Sequence, residues 1–311
     1  MAKKLKNLAP ADYLHTRDIE AMNTLQAIPG LVAISKKANS LGLDRMIRMQ
    51  SMANSIRVGP RQFKSLYTLF QDVCETLDVS GIDLFVQQDF SLNAFARGVE
   101  APQVTVTTEL INRLTPDELR FVIGHEVGHV KSEHVLYHQI GFYLPVIMRT
   151  IGQATLGLGS LVGSGFQMAL YDWIRKSELT ADRAGLLAVQ APDVVRSTFY
   201  KLAGVPASLE HELSMDEISI QSQEFEDFSG EDLNKFYRFL CQAWSTHPWI
   251  VIRISEMEQW INLGGYDRIM KRYGDRGNIN SHSCPACGQP LSPASKFCVY
   301  CGYRVSYSQA K

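Results

Sequence analysis

From Gly59-Pro60 onward the apolar positions fall into two rhythms. Phe63, Leu66, Tyr67, Phe70, Val73, Cys74 and Leu77 recur every three or four residues, the spacing of an amphipathic helix with one buried stripe. Segments 82–86, 93–97 and 104–107 are short, rich in β-formers and bounded by Gly, Pro and Asp, which predicts a small antiparallel sheet. Thr115-Pro116-Asp117-Glu118 then offers an N-cap hydroxyl, a proline at the first helical position and the acid of a capping box. Leu119, Val122, Ile123, Val127 and Val130 carry that helix on with a buried face. Ahead of Gly59 the chain reads as two or three helices, interrupted at Ile28-Pro29-Gly30. The expected class is α+β, mostly helical.

Residues 135–148 carry no charged side chain and neither do residues 150–171, with Arg149 alone between them. The second run approaches the ~20 residues that span a bilayer, but the first is short and the second holds several glycines and serines. If residues on both sides of this region share one site, any membrane crossings must be even in number. A hydrophobic helical hairpin that covers a cleft or dips into a membrane is therefore expected ahead of two full crossings. Between Glu210 and Asp232 the chain turns acidic, and a solvated loop with a short helix is expected there.

The capped helix contains His125-Glu126-Val127-Gly128-His129. Residues four apart share a helical face, so His125 and His129 can present two imidazole nitrogens to one metal ion with Glu126 beside them. Zinc held by two histidines needs a further protein ligand and an open position for water, whose proton Glu126 would take. Glu178 and Asp182 are again four apart. Glu178 would be the third ligand, and Asp182 would accept a hydrogen bond from the outer nitrogen of a ligand histidine. Without the upstream motif, these acids beside Arg175, Lys176 and Arg183 would read as a solvated salt-bridge face. Asn93, Ala94 and Phe95 are candidates for an edge strand that holds extended substrate by backbone hydrogen bonds, with an ordinary strand as the alternative. His247, fixed before Pro248 and six residues ahead of Arg253, is a candidate for placing a cation where an oxyanion develops. A plain helix-start histidine reads equally well.

Composition adds three constraints. The chain of 311 residues is 45% hydrophobic, enough for one sizeable domain and a small one, and its net charge of -1 argues against binding nucleic acid by bulk electrostatics. No apolar run of signal-peptide length follows Lys3, Lys4 and Lys6, so export is not expected. Lys36, Lys37, Arg45 and Arg48 form a modest basic face, read as solvated or as a membrane-surface contact. Four of the six cysteines stand as Cys284-x-x-Cys287 and Cys298-x-x-Cys301, the grammar of a closed four-thiolate structural zinc site in a reducing compartment. Cys74 and Cys241 read as small core residues.

Together, Asn93-Ala94-Phe95-Ala96, the strand at 104–106, His125-Glu126-x-x-His129, Glu178-x-x-x-Asp182 and His247-Pro248 resemble the HtpX-like and CAAX-prenyl-protease-like zinc metallopeptidases, over about residues 56–260. The resemblance implies a gluzincin fold with zinc on His125, His129 and Glu178, Glu126 as general base and Asp182 behind a ligand. It also implies substrate binding by the strand at Asn93 and assistance at the oxyanion by His247. Members of the family are membrane-embedded, membrane-associated or soluble. The expected organisation is a helical segment 1–58, a metallopeptidase domain 59–273, a linker 274–282 and a zinc ribbon 283–304, with one catalytic and one structural zinc. The expected activity is cleavage within protein substrates, misfolded or membrane-associated ones among them, by an active site facing the cytoplasm and with no nucleic-acid partner. The alternative is a non-catalytic or latent adaptor whose ribbon recruits a partner.

Overall fold

The computed structural model describes residues 2–27, 42–154, 160–230 and 249–274. In chain order the described elements are α1 (Thr16–Gln26), α2 (Leu43–Asn54), β1 (Ile56–Arg57), α3 (Lys64–Thr76), β2 (Asp83–Gln87), β3 (Ala94–Arg97), β4 (Gln103–Thr107), α4 (Thr108–Arg113), α5 (Pro116–Lys131), α6 (Val135–Ala154), α7 (Ser160–Val189), α8 (Pro192–Leu202), α9 (Met215–Gly230), α10 (Ile250–Asn262) and α11 (Gly265–Gly274).

Helix α5 begins with the capping box its sequence implies. The Thr115 hydroxyl accepts from the Glu118 N–H at 3.3 Å, and the Glu118 carboxylate accepts from the Thr115 N–H at 2.8 Å. Glu118 also accepts from Ser197 Oγ at 2.6 Å and Lys201 Nζ at 3.0 Å, so the same acid ties the start of α5 to α8. Further along, α5 crosses α7 at very close range. A Cβ added at Gly124 would lie 2.4 Å from the Ala188 Cβ, and one at Gly128 would lie 2.5 Å from the Ala184 Cβ. Only glycine lets the two backbones approach this way, and the approach brings Glu178 of α7 opposite the histidines of α5. Replacing Gly128 with valine is expected to force the helices apart at a cost of about 1–3 kcal/mol, lowering the melting temperature by roughly 3–10 °C. A thermal melt by circular dichroism checks this, and an unchanged melt would show that the crossing can open freely.

The sheet has four strands in the order β1-β2-β4-β3, and it is mixed rather than antiparallel. β2 runs parallel to β4, with Leu84 opposite Val104 and Val86 opposite Val106. β3 pairs antiparallel with β4, and the two-residue β1 pairs antiparallel with β2. β4 is buried along its whole length and therefore takes a central place with a neighbour on each side. Half-buried β3 is left at the edge. Alternation of apolar residues reports which strands are buried, not which way their neighbours run.

The main core gathers Phe70, Val73, Val104, Val106, Phe121 and Ile123, and the N-terminal residues Leu5, Leu8 and Tyr13 pack into it. The uncharged region forms α6 and the first part of α7. There Ile140, Leu144, Phe166, Leu170 and Trp173 build a second core with Ala21 and Leu25 of α1 and Leu43 of α2. Among the described residues, no helix is long and apolar enough to cross a membrane. The acidic stretch departs from expectation, because residues 215–230 form one continuous helix, α9. Ile218 packs against the main core and the Phe225 ring meets Trp249 edge-on at 5.3 Å. A single apolar edge is enough to dock an otherwise solvated helix, and acidic composition alone does not distinguish that from a loop.

Candidate metal centre

Two hydrogen-bond chains converge on His125 and His129, and together they decide which ring nitrogens carry protons. Asp18 of α1 accepts from Trp173 Nε1 at 2.8 Å and from the Thr180 hydroxyl at 2.6 Å, both of them fixed donors here. Its remaining partner, His134 Nε2 at 3.2 Å, therefore donates as well. That leaves His134 Nδ1 to accept from His129 Nδ1 at 3.1 Å, so the Nε2 of His129 keeps its lone pair. On the other side Arg253 of α10 donates twice to Asp182, from Nε at 2.8 Å and from Nη2. His125 Nδ1 donates to the same carboxylate at 2.9 Å, and the Nε2 of His125 is likewise a free lone pair.

The two Nε2 atoms lie 3.1 Å apart, and the Glu178 carboxylate stands 3.4 Å from the first and 3.3 Å from the second. His125, His129, Glu178 and Asp182 are all buried. With both rings neutral, three lone-pair donors face one another out of water, an arrangement that a cation makes favourable, whether a proton on His125 or a metal ion. Two imidazoles and a carboxylate suit zinc and leave room for a further ligand. Burial pushes His129 down to about 4. At His125 burial acts the same way, but Asp182 and Glu178 outweigh it and pull the ring up to about 10. A metal cation would take the place of that proton.

Glu126 sits beside the cluster, its Oε1 4.0 Å from His125 Nε2. Burial pushes its carboxyl up to about 7, against the opposing pull of His125, and the backbone N–H of Ala96 donates to it. A carboxylate held near neutrality is suited to exchange protons at physiological pH. Strand β3, which supplies Ala94, Phe95 and Ala96, is the free edge of the sheet and lies against this acid. Asn93 precedes it and is held to Thr107 of β4, accepting from that residue's backbone N–H at 3.0 Å.

Residues 60–261 match peptidase family M48, and residues 283–305 match a zinc-ribbon domain. The chain belongs to peptidase family M48. It is similar to the plastoglobule-localized metallopeptidase 48, chloroplastic, of Arabidopsis thaliana, at 30% identity over 277 residues, which is 88% of this chain and 79% of that one. It is also similar to a protease HtpX homolog of Moorella thermoacetica, at 26% identity over 190 residues covering 53% of this chain and 63% of the relative. A protease HtpX homolog 2 of Methanosarcina acetivorans is 23% identical over 231 residues, 65% and 74% of the two chains. No solved structure matches. This M48 chain is therefore a metallopeptidase with a zinc-ribbon domain, and zinc is the metal that both parts point to.

In this M48 peptidase two cavities, of about 280 and 520 Å³, meet at Glu126 and Glu178, and both are lined by Asn93 and Ala94. The first runs between β3 and α6, where Val135, His138 and Phe142 form its far wall. The second runs toward Leu110, Trp249 and Arg253.

Sequence reasoning brought His125, Glu126, His129, Glu178 and Asp182 to one point, and the fold places them together. His247 and the cysteines Cys284, Cys287, Cys298 and Cys301 lie outside the described residues. Arg253 donates twice to Asp182 and also lines the second cavity with Glu126 and Glu178. The basic neighbours of the acid pair are committed elsewhere, Arg175 and Lys176 to Asp172, and Arg183 to the carbonyls of Tyr13 and Leu14. The chain through His134 to Asp18 escaped notice. One signal was available: four of the eight histidines fall between positions 125 and 138.

Proposed function

We propose that the chain is a zinc-dependent endopeptidase, with His125, His129 and Glu178 as ligands of the catalytic ion and Glu126 as the general base. The observation that carries this reading is the convergence of three lone-pair donors, with Glu126 and the free edge of β3 beside them. A zinc ion held by these three residues would supply a Lewis acid for the peptide carbonyl and would make the proton of a water labile near neutral pH. The chain's own part follows from position. β3 pairs with an extended segment of substrate through its outward backbone groups and lays the scissile bond across the cleft. Glu126 takes the proton of the attacking water on a carboxylate oxygen and returns it to the leaving amine. The Ala96 N–H keeps that carboxylate turned toward the cleft. Asp182 and Arg253 hold the His125 ring, and His134 with Asp18 holds the ring of His129.

Strand pairing demands a substrate segment free of its own pairing, so unfolded protein is the natural substrate class. The four cysteines of the ribbon would hold a second, structural zinc, because four thiolates close the coordination sphere. Such a site suits a reducing compartment.

Purified zinc-loaded protein is expected to degrade unfolded casein, to stop when the metal is chelated and to resume when zinc is returned. Cleavage that continued after chelation would sink the reading and point to a contaminating protease. The outer chain has its own test. In Asp18→Ala no acceptor remains for His134 Nε2, so His134 loses the partner that fixes its Nδ1 as the acceptor for His129. Affinity for the catalytic zinc is expected to fall about 10- to 100-fold, read by chelator competition. Unchanged affinity would mean that Asp18 serves packing only.

A further inference from the structure

Strand β3 ends in a cation that no acid among the described residues neutralises. Among the arginines whose side chains are described, those that are not exposed have an acidic or carbonyl partner, as Arg120 has Asp72, Arg196 has Glu258 and Arg183 has two backbone carbonyls. Arg97 is the exception. It is half-buried, and among the described residues it makes neither a salt bridge nor a hydrogen bond. Its guanidinium carbon lies 4.1 Å from the centre of the Phe95 ring and 4.9 Å from that of Phe142. Burial lowers its proton affinity somewhat, yet leaves it a cation. Arg97 lines the same 280 Å³ cavity as Glu126, His129 and Glu178, but neither acid pairs with it.

Placing a charge there without a counterion costs free energy that two aromatic faces offset only in part. The same stacking has a use. It covers ring-facing surface of the guanidinium and leaves the N–H edges, the part that binds a carboxylate through two parallel hydrogen bonds. The mount is also braced. Asp44 of α2 accepts from the backbone N–H groups of Val99 and Glu100 at 2.8 and 2.7 Å, and from Gln139 Nε2 of α6 at 2.9 Å. Gln139 in turn accepts from the Gly98 N–H at 3.2 Å. The end of the edge strand and the helix bearing Phe142 are thereby held at a fixed spacing around Arg97.

We propose that Arg97 is a specificity-determining residue that binds a carboxylate of the substrate, either an acidic side chain or the free end of the chain. This rests on the endopeptidase reading for the site itself. Ala96, the neighbour of Arg97, contacts Glu126, and a strand advances about 3.3 Å per residue. The carboxylate therefore falls within about three residues of the cleaved bond.

The test uses full-length, zinc-loaded Glu126→Gln protein, so that binding is read without turnover. Fluorescent neutral decapeptides carry one glutamate moved stepwise along the chain, each made with a free or an amidated C-terminus, and binding is followed by anisotropy. At one register glutamate or the free terminus is expected to tighten binding about tenfold, the scale of a charge-assisted hydrogen bond. Dependence on the glutamate position identifies a side-chain carboxylate, and dependence on amidation identifies the chain end. Adding Arg97→Gln should bring the ratio to about one, and Arg97→Glu should transfer the preference to lysine at the same register. Indifference to every carboxylate, or a preference that survives Arg97→Gln, overturns the assignment. Wild-type cleavage of the same peptides is measured in parallel. A binding preference that responds to Arg97 without any cleavage would refute the endopeptidase reading and leave the role of Arg97 standing. Cleavage indifferent to carboxylates would do the reverse.

Discussion

Glu126→Gln is expected to keep its zinc and to lose cleavage by about 10²- to 10⁴-fold, the range that a positioned proton-transfer group contributes. The amide matches the carboxylate in shape, and its oxygen can still accept from the Ala96 N–H that now points at Glu126. The variant lacks basicity. In the present site burial brings that carboxyl up to about 7, so wild type has a group that can both take and return a proton near neutrality. Two measurements separate the possibilities: zinc per chain by elemental analysis, and kcat and KM on an unfolded protein substrate. Zinc content and KM should hold while kcat falls. Activity within a factor of ten of wild type would remove Glu126 from the chemistry, and loss of zinc would make it part of the metal's support instead.

Glu178→Ala is expected to empty the catalytic centre. The carboxylate is one of three converging donors, and the only one that brings negative charge to them directly, at 3.4 and 3.3 Å from the two Nε2 atoms. Losing it should weaken zinc by more than the ~10- to 100-fold that loss of an outer partner costs. Zinc per chain should then fall from about two to about one, the remainder being held by the four ribbon cysteines. Cleavage should vanish with it. Because a metal bound only to the folded state stabilises it by mass action, added zinc should also raise the melting temperature of wild type more than that of the variant. Retention of two zinc ions per chain would show the ligand set to be wrong.

Why were the converging donors legible and their supports not? His125, Glu126 and His129 lie on one helix, where spacing alone fixes which residues share a face. Glu178 and Asp182 repeat that logic one helix away, and the capping box at Thr115 places the first helix with little help from the rest of the chain. His134 and Asp18 are different. They are distant in sequence, and their meeting depends on how α1 lies against α7, which no local periodicity reports. Arg253 shows the same limit, because its pairing with Asp182 spans 71 positions.

The sequence by itself determined the peptidase family, the His125-Glu126-x-x-His129 motif, the helical start that presents it and the terminal four-cysteine module, because each depends on residue type at short, regular spacing. Only the tertiary structure decided which way the strands run, that β3 is the exposed edge, that Gly124 and Gly128 bring α5 and α7 close enough for Glu178 to face the histidines, and that no acid among the described residues pairs with Arg97. Those outcomes turn on burial and on which backbones can approach, and these are properties of the packed chain rather than of any window along it.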